Sequence, residues 1–236
     1  GDLLRLRQTG CGGAAAGMNI FDIIGPVMIG PSSSHTAGAV RLGYVARKIL
    51  EEEPVKAVIQ LSGSFAQTYR GHGTDKALIA GILGFPPDDM RIRDSLDHAG
   101  KTGLEYEFIC ENIPGAHPNT ARITLTGAAN ESVTVQGASV GGGNILVDEL
   151  NGMPVHVTGQ SNTLVVFHKD KPGAIAAVTN FVAYSGVNIG SFRLSRPQKG
   201  GTAVMTIEVD GDIPDSLAEN LRILPNITHV VLIRAV

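Results

Sequence analysis

The stretch from Thr163 to Ile233 constrains the fold most, because its succession of periods admits few architectures. Thr163-Leu-Val-Val-Phe-His168 is an unbroken apolar run of buried-strand length. Lys169-Asp-Lys-Pro-Gly173 is a turn, with Pro172 suited to the first turn of a helix. Apolar residues at 175, 178, 181 and 182 then keep helical spacing between Ala174 and Ser185, and Gly186 stops the helix. Val187 to Leu194 reads as a strand, Gln198-Lys-Gly-Gly201 as a hairpin turn and Thr202 to Val209 as an alternating strand. Pro214 to Leu224 is a short helix, and Ile227 to Ile233 is the last strand. The order β-α-β-β-α-β is the ferredoxin-like plan.

The chain before it is richer in Gly, His and Ser and less regular. Helices are expected over Thr36–Glu52, Thr74–Leu83 and Asp88–His98. Strands are expected over Val55–Leu61, Glu105–Cys110, Ala121–Thr126, Ser132–Val135 and Asn144–Val147, with a hairpin turn at Gly127-Ala-Ala-Asn130. This is a mixed α/β or α+β domain. Met153-Pro154 and the polar Thr158-Gly-Gln-Ser-Asn162 mark the boundary, giving domains over 18–158 and 162–236. Residues 1–17 begin with Gly, end in Cys11-Gly-Gly-Ala-Ala-Ala-Gly17, and read as a non-native extension before Met18.

Composition narrows the function classes. A net charge of −3 argues against nucleic acid, and no apolar run is long enough to cross a bilayer. Two cysteines, Cys11 and Cys110, make no disulfide framework and fit a reduced cytoplasmic protein. An iron–sulfur cluster normally needs three or four cysteines, more than this chain holds. His35, His72 and His117 lack metal-ligand spacing, so no metal site is read in this chain.

Four loops carry the candidate chemistry. Gly30-Pro-Ser-Ser-Ser-His-Thr36 precedes a helix, whose N-terminus offers unpaired N–H groups and the positive end of a dipole. Capping needs one hydroxyl, and three consecutive serines exceed that need, so the segment reads as a site for a small anion such as carboxylate or phosphate. Arg70-Gly-His-Gly-Thr-Asp-Lys76 flanks a histidine with glycines that expose it, and histidine suits proton transfer near neutral pH. Lys76 stands where a dinucleotide fingerprint needs its third glycine, which excludes that motif. Ser62-Gly-Ser-Phe65 follows a strand, where ligand contacts often lie, and Gly115-Ala-His117-Pro-Asn119-Thr120 is a further histidine loop.

Phe21-Asp-Ile-Ile-Gly-Pro26, Gly30 to Thr36, Tyr69 to Lys76 and His117-Pro-Asn-Thr120, in this order, resemble the beta chain of bacterial iron–sulfur-dependent L-serine dehydratases. Asp170-Lys-Pro-Gly173 and Val187-Asn-Ile189 resemble an ACT domain. The resemblance implies an α+β chain: an N-terminal mixed α/β substrate-binding domain, then a βαββαβ ACT domain. It implies conversion of L-serine to pyruvate and ammonia, with a [4Fe-4S] cluster held by cysteines of a separate alpha chain. It also implies roles for named residues. Ser32, Ser33, Ser34 and Thr36 would hold the carboxylate. His35 and His72 would orient substrate or move protons, one of them as base for the Cα proton. Thr74, Asp75, His117 and Asn119 would complete the pocket, with Asp75 partnering the ammonium. In the ACT domain, His168, Asp170 and Asn188 would bind an effector, L-serine, between paired domains, which implies homo-association.

Two other readings compete. A pyridoxal-phosphate dehydratase would need a Schiff-base lysine, for which Lys76 is the one placed near a glycine-rich loop. A non-catalytic serine sensor would resemble the regulatory regions of phosphoglycerate dehydrogenases, which also pair an intervening domain with an ACT domain.

Overall fold

A computed structural model describes residues 32–235. The proposed extension, Cys11, the Met18 start, Phe21–Pro26 and Gly30–Pro31 lie outside the described residues.

The chain builds two sheets. The first takes α1 (Ala37–Leu50), β1 (Pro54–Leu61), α2 (Gly63–Thr68), α3 (Thr74–Ile82), α4 (Ser95–Thr102), β2 (Glu105–Cys110), β3 (Thr120–Gly127), β4 (Ser132–Gly141), β5 (Asn144–Leu150) and β6 (Met153–Val157). Its strand order is β2-β1-β3-β4-β5-β6, with β1 and β2 parallel and every other pair antiparallel. The second takes β7 (Asn162–Lys169), α5 (Ala174–Tyr184), β8 (Asn188–Ser195), β9 (Thr202–Asp210), α6 (Asp215–Arg222) and β10 (Ile227–Ile233), in the order β10-β7-β9-β8. This is the expected βαββαβ unit, and the whole is α+β.

Helix α1 is the spine of the first region. Leu42, Val45 and Ile49 bury against Ile59, Ile123, Val135 and Val147 of the sheet. Burying each such side chain contributes about 1.5–3 kcal/mol. Its opposite flank meets α3 through glycines. A Cβ at Gly81 would sit 2.0 Å from the Val40 carbonyl oxygen, and one at Gly43 2.4 Å from that of Leu78. The backbones therefore approach more closely than any side chain allows, which seats the loop before α3 beside the loop before α1.

The apolar run in β7 has a two-sided cause. Leu164 and Val166 pack under α5 and α6 with Val178, Leu217 and Leu221. Val165 and Phe167 face the other way and join the core of the first region, with Val204, Val231 and Ile233. At the C-terminal end of α1, Glu51 turns the chain at φ 61°, accepts from Arg222 at 2.7 Å and lies 3.2 Å from His229 Nε2. Thus α1 carries the histidine loop at one end and touches the second sheet at the other.

Several expectations change in detail. Asp88–His98 is not one helix: a 3₁₀ turn at Met90–Asp94 precedes α4, which runs on to Thr102. The break falls where Asp89 accepts from the Arg91 N–H and where buried Ser95 donates to the Lys76 carbonyl at 2.7 Å. Ser62-Gly-Ser-Phe65 opens α2 rather than forming a plain loop. Strand β4 runs past Val135 to Gly141, and Met153–Val157 is a strand, its Pro154 tolerated on the sheet's outer edge. Pro172 precedes the Gly173 N-cap instead of occupying the first helical turn.

Candidate active site

Residues Ser32–Thr36 wind into a tight turn before α1. The Thr36 N–H donates to the Ser32 carbonyl at 2.9 Å and the Gly38 N–H to that of Ser33 at 3.1 Å. Backbone carbonyls thus satisfy part of the helix terminus, and Thr36 makes no side-chain cap. Its buried hydroxyl has no partner among the described residues. Ser32 Oγ accepts from the His35 N–H at 3.4 Å, a capping contact, so of these hydroxyls it is that of Thr36 that is left free, and fewer N–H groups remain for an anion than the sequence alone suggests.

His35 lies at the centre of this cluster. The residue is 9% exposed, with Nδ1 3.3 Å from Ser32 Oγ and Nε2 3.3 Å from Ser64 Oγ. Phe65 sits edge-on to it at 5.3 Å between centroids, and the His72 ring at 4.8 Å and nearly perpendicular. Burial, then the neighbouring His72, holds His35 below the ordinary histidine range. It is therefore predominantly neutral at pH 7 and able to accept a proton.

His72 arrives through the loop between α2 and α3. Its N–H donates to the Thr68 carbonyl at 2.9 Å, and that of Thr74 to the Tyr69 carbonyl at 2.8 Å. Gly73, at φ 72°, makes the left-handed step into α3. Thr74 Oγ1 is buried without a partner among the described residues. Asp75 accepts from the Lys76 N–H at 2.8 Å, and burial raises its carboxyl above the ordinary carboxylate range. Asp75 lines an aromatic groove beside the loop rather than the space around His35.

The histidine loop at 115–120 is tied to α2. The Phe65 N–H donates to the Pro118 carbonyl at 3.3 Å, and the Ser62 N–H to that of Thr120 at 3.0 Å. A Cβ at Gly63 would lie 2.6 Å from the Pro118 carbonyl oxygen, so this docking requires glycine. His117 is exposed, and its Nδ1 accepts from the Asn119 N–H at 3.1 Å. Asn119 donates to the Ser139 carbonyl at 3.5 Å, and its own buried Oδ1 is unpartnered among the described residues.

The structure thus brings His35 and His72 together, with Ser32 beside them, and places Asn119 near the first turn of α1 through Ser139. Two neighbours escaped the sequence. Ser64 lay in a loop singled out for its position after a strand, yet only the turn of α2 aims it at His35. Ser139 Oγ is buried, unpartnered among the described residues, and lies 2.1 Å from where a Cβ on Gly38 would stand. No local pattern in β4 marks it.

The three ACT residues do not converge within one chain. His168 is buried, its Nδ1 2.9 Å from the Lys169 carbonyl oxygen and its Nε2 unpartnered among the described residues. Asp170 accepts from the Gly200 N–H at 2.8 Å and from Arg196 at 3.1 Å, which hold its carboxyl below the ordinary range. Asn188 donates to Asp210 at 2.5 Å. On β9, His168 pairs with Ala203 and Asn188 with Asp210, so the two stand at opposite ends of the sheet, separated by roughly 23 Å along the strand at about 3.3 Å per residue.

Among the described residues no group of three His, Cys, Asp or Glu could hold a metal ion, and no helix is long and apolar enough to cross a membrane. Cys110, exposed on β2, donates to the Ala66 carbonyl at 3.5 Å. A lone thiol does not fit an iron–sulfur cluster.

Comparison with known proteins gives two family matches: the serine dehydratase beta chain over residues 19–150 and the ACT domain over residues 162–226. The chain is 46% identical to a probable L-serine dehydratase beta chain of Bacillus subtilis, across 91% of this chain and 97% of that one. It is 38% identical to the L-serine dehydratase beta chain of Peptoniphilus asaccharolyticus, across 84% of this chain and 89% of that one. A match to L-serine dehydratase 2 of Escherichia coli, at 31% identity, covers 56% of this chain but 34% of the longer protein.

Proposed function

This chain belongs to the serine dehydratase beta-chain family, and from that membership we propose that it furnishes the substrate-binding and proton-transfer half of an iron–sulfur-dependent L-serine ammonia-lyase, inactive without an alpha chain. The observation that carries the reading is the His35–His72 pair at 4.8 Å, with the buried Thr36 and Thr74 hydroxyls, unpartnered among the described residues, in the same two segments. Serine's carboxylate would lie at the turn of Ser32, Ser33, Ser34 and Thr36, where the helix dipole favours negative charge. Neutral His35 would then take the Cα proton, with His72 orienting it. Thr74, His117 and Asn119 would line the remaining wall, and Asp75 would face the ammonium from the adjoining groove. Loss of the Cα proton and of the hydroxyl gives aminoacrylate, which hydrolyses through its imine to pyruvate and ammonia.

A [4Fe-4S] cluster, when bound, supplies a Lewis acid for the departing hydroxyl. The donors of this chain do not fit it, so we assign its ligands to the alpha chain. The longer E. coli relative, of which this chain matches about a third, is consistent with more polypeptide being required. We further read 18–158 and 162–236 as separate domains and the enzyme as cytoplasmic. L-Serine binding at His168, Asp170 and Asn188 would need two ACT domains, because these residues stand at opposite ends of one sheet. The names of the beta-chain relatives favour the dehydratase over a free-standing serine sensor.

The test is to mix this chain with an alpha chain under anaerobic conditions and follow serine-dependent pyruvate. Activity from the mixture and from neither chain alone is expected. A mixture that assembles, carries cluster and yields no pyruvate overturns the reading.

A further inference from the structure

The six-stranded sheet ends on one side in β2, an exposed strand whose only sheet neighbour among the described residues is β1. An open strand edge is a template for another backbone. Beside it lies a groove of about 260 Å³ lined by Tyr69, Arg70, Asp75, Leu96, Tyr106 and Phe108. The Phe108 ring stands 5.5 Å from that of Tyr69 and 6.0 Å from that of Tyr106, and Tyr106 is 38% exposed. The Arg70 guanidinium lies 5.3 Å from the Tyr69 ring. Clustered aromatics with an arginine are what the centre of a protein interface uses. The rest of the edge is acidic: Glu105, Glu107 and Glu111 are all exposed.

We propose that β2 and this groove form the surface on which the alpha chain docks, through a segment that places an apolar side chain between Tyr69 and Tyr106 and basic side chains opposite Glu105, Glu107 and Glu111. The inference rests on the two-chain reading above. Two observations select the alpha chain as occupant. Tyr69 and Arg70 line the groove just before His72 in the chain, and Asp75 lines it from the first turn of α3, so a chain seated there borders the loop that carries His72. A second copy of β2 would instead set glutamates against glutamates, which is unfavourable across paired strands. β-strand addition of this kind gives affinity through the backbone and specificity through the pockets.

The assembled two-chain enzyme tests this with the photoreactive amino acid p-benzoylphenylalanine placed at position 106. Irradiation is expected to give a covalent alpha–beta adduct. In the unsubstituted enzyme, alkylation of Cys110 by N-ethylmaleimide, followed by peptide mass spectrometry, is expected to slow at least tenfold on assembly. Tyr106→Glu, with an unchanged thermal melt, is expected to weaken alpha-chain binding at least tenfold. An adduct to a second copy or to residues 1–31 of the same chain, no adduct, or unaltered alkylation of Cys110 in the complex each overturns the proposal. If the unsubstituted chains do not associate at all, the two-chain reading falls first, and the docking surface with it.

Discussion

In the six-stranded region, Thr36, Thr74, Asn119, Thr120 and Ser139 each bury a side-chain oxygen, and Arg41 its Nε, with no partner among the described residues; in the four-stranded region only the Nε2 nitrogen of His168 is left so. Asp170 and Asn188, the other polar candidates there, are held by Arg196, Gly200 and Asp210. A buried polar atom without a partner costs about 1–3 kcal/mol. Six of them in one region are tolerable where a polar ligand completes some of them. The second region resolves its polar groups within its own hairpins. Unmet hydrogen-bonding capacity is therefore concentrated in the first region, where we place the chemistry, while the polar candidates of the second do not meet within one chain.

The largest test of this contrast is the histidine pair. In the reconstituted enzyme, His35→Ala is expected to lower kcat 10²–10⁴-fold, the usual range for a lost general base, measured by pyruvate formation. An equal loss from His168→Ala would erase the distinction between the regions.

Next in size is the helix contact that seats the loops. Gly81→Ala places a methyl group 2.0 Å from the Val40 carbonyl oxygen and 2.7 Å from the Tyr44 nitrogen, neither of which belongs to a flexible side chain. A loss of about 1–3 kcal/mol is expected in urea denaturation, with pyruvate formation reduced as well. Gly100→Ala, within α4 and with nothing within 4 Å of the added Cβ, is the control that adds the same methyl group to a helix without the clash.

These contacts mark how far sequence reasoning reaches. The βαββαβ order was legible because its strands and helices carry clean periods, and Ile227–Ile233 and Glu105–Cys110 begin and end where expected. Helix α2 was not, since Gly-Ser-Phe-Ala-Gln-Thr buries only Phe65 and shows no apolar stripe. Strand β6 hid behind Pro154, which reads as a breaker until its place on the outer edge is known. The loops bearing His35 and His72 stood out by composition. Their meeting did not, because it depends on α1 and α3 closing over Gly43 and Gly81, a contact made across 38 residues of chain (81 − 43).

A smaller effect separates the regions by pH. His35 is held below its ordinary pKa in the folded chain, so between that folded value and about 6.5 the unfolded chain binds more protons. Stability therefore rises with pH through this window, reaches its full value above about 6.5, and is lost as pH falls toward the folded pKa. His35→Gln is expected to flatten this part of the stability profile, measured by urea midpoints at pH 5 and pH 7.5. The acid limb of kcat/KM is likewise expected below about 6.5, not above it, because the base must be neutral. A limb above that value would transfer the role away from His35.

The least effect is the most discriminating for the second region. His168 and Asn188 stand at opposite ends of one sheet, so a serine site using both draws one residue from each of two chains. Replace each by Ala in separate preparations, and neither should bind L-serine in calorimetry. In an equimolar mixture that exchanges subunits freely, half the dimers pair one variant with the other. Each such dimer holds one site with both residues intact and one with neither, so roughly a quarter of all sites should return. Binding that stays absent would place the effector within one chain or remove it altogether. Full binding by either single variant would mean that its altered residue is no part of the site.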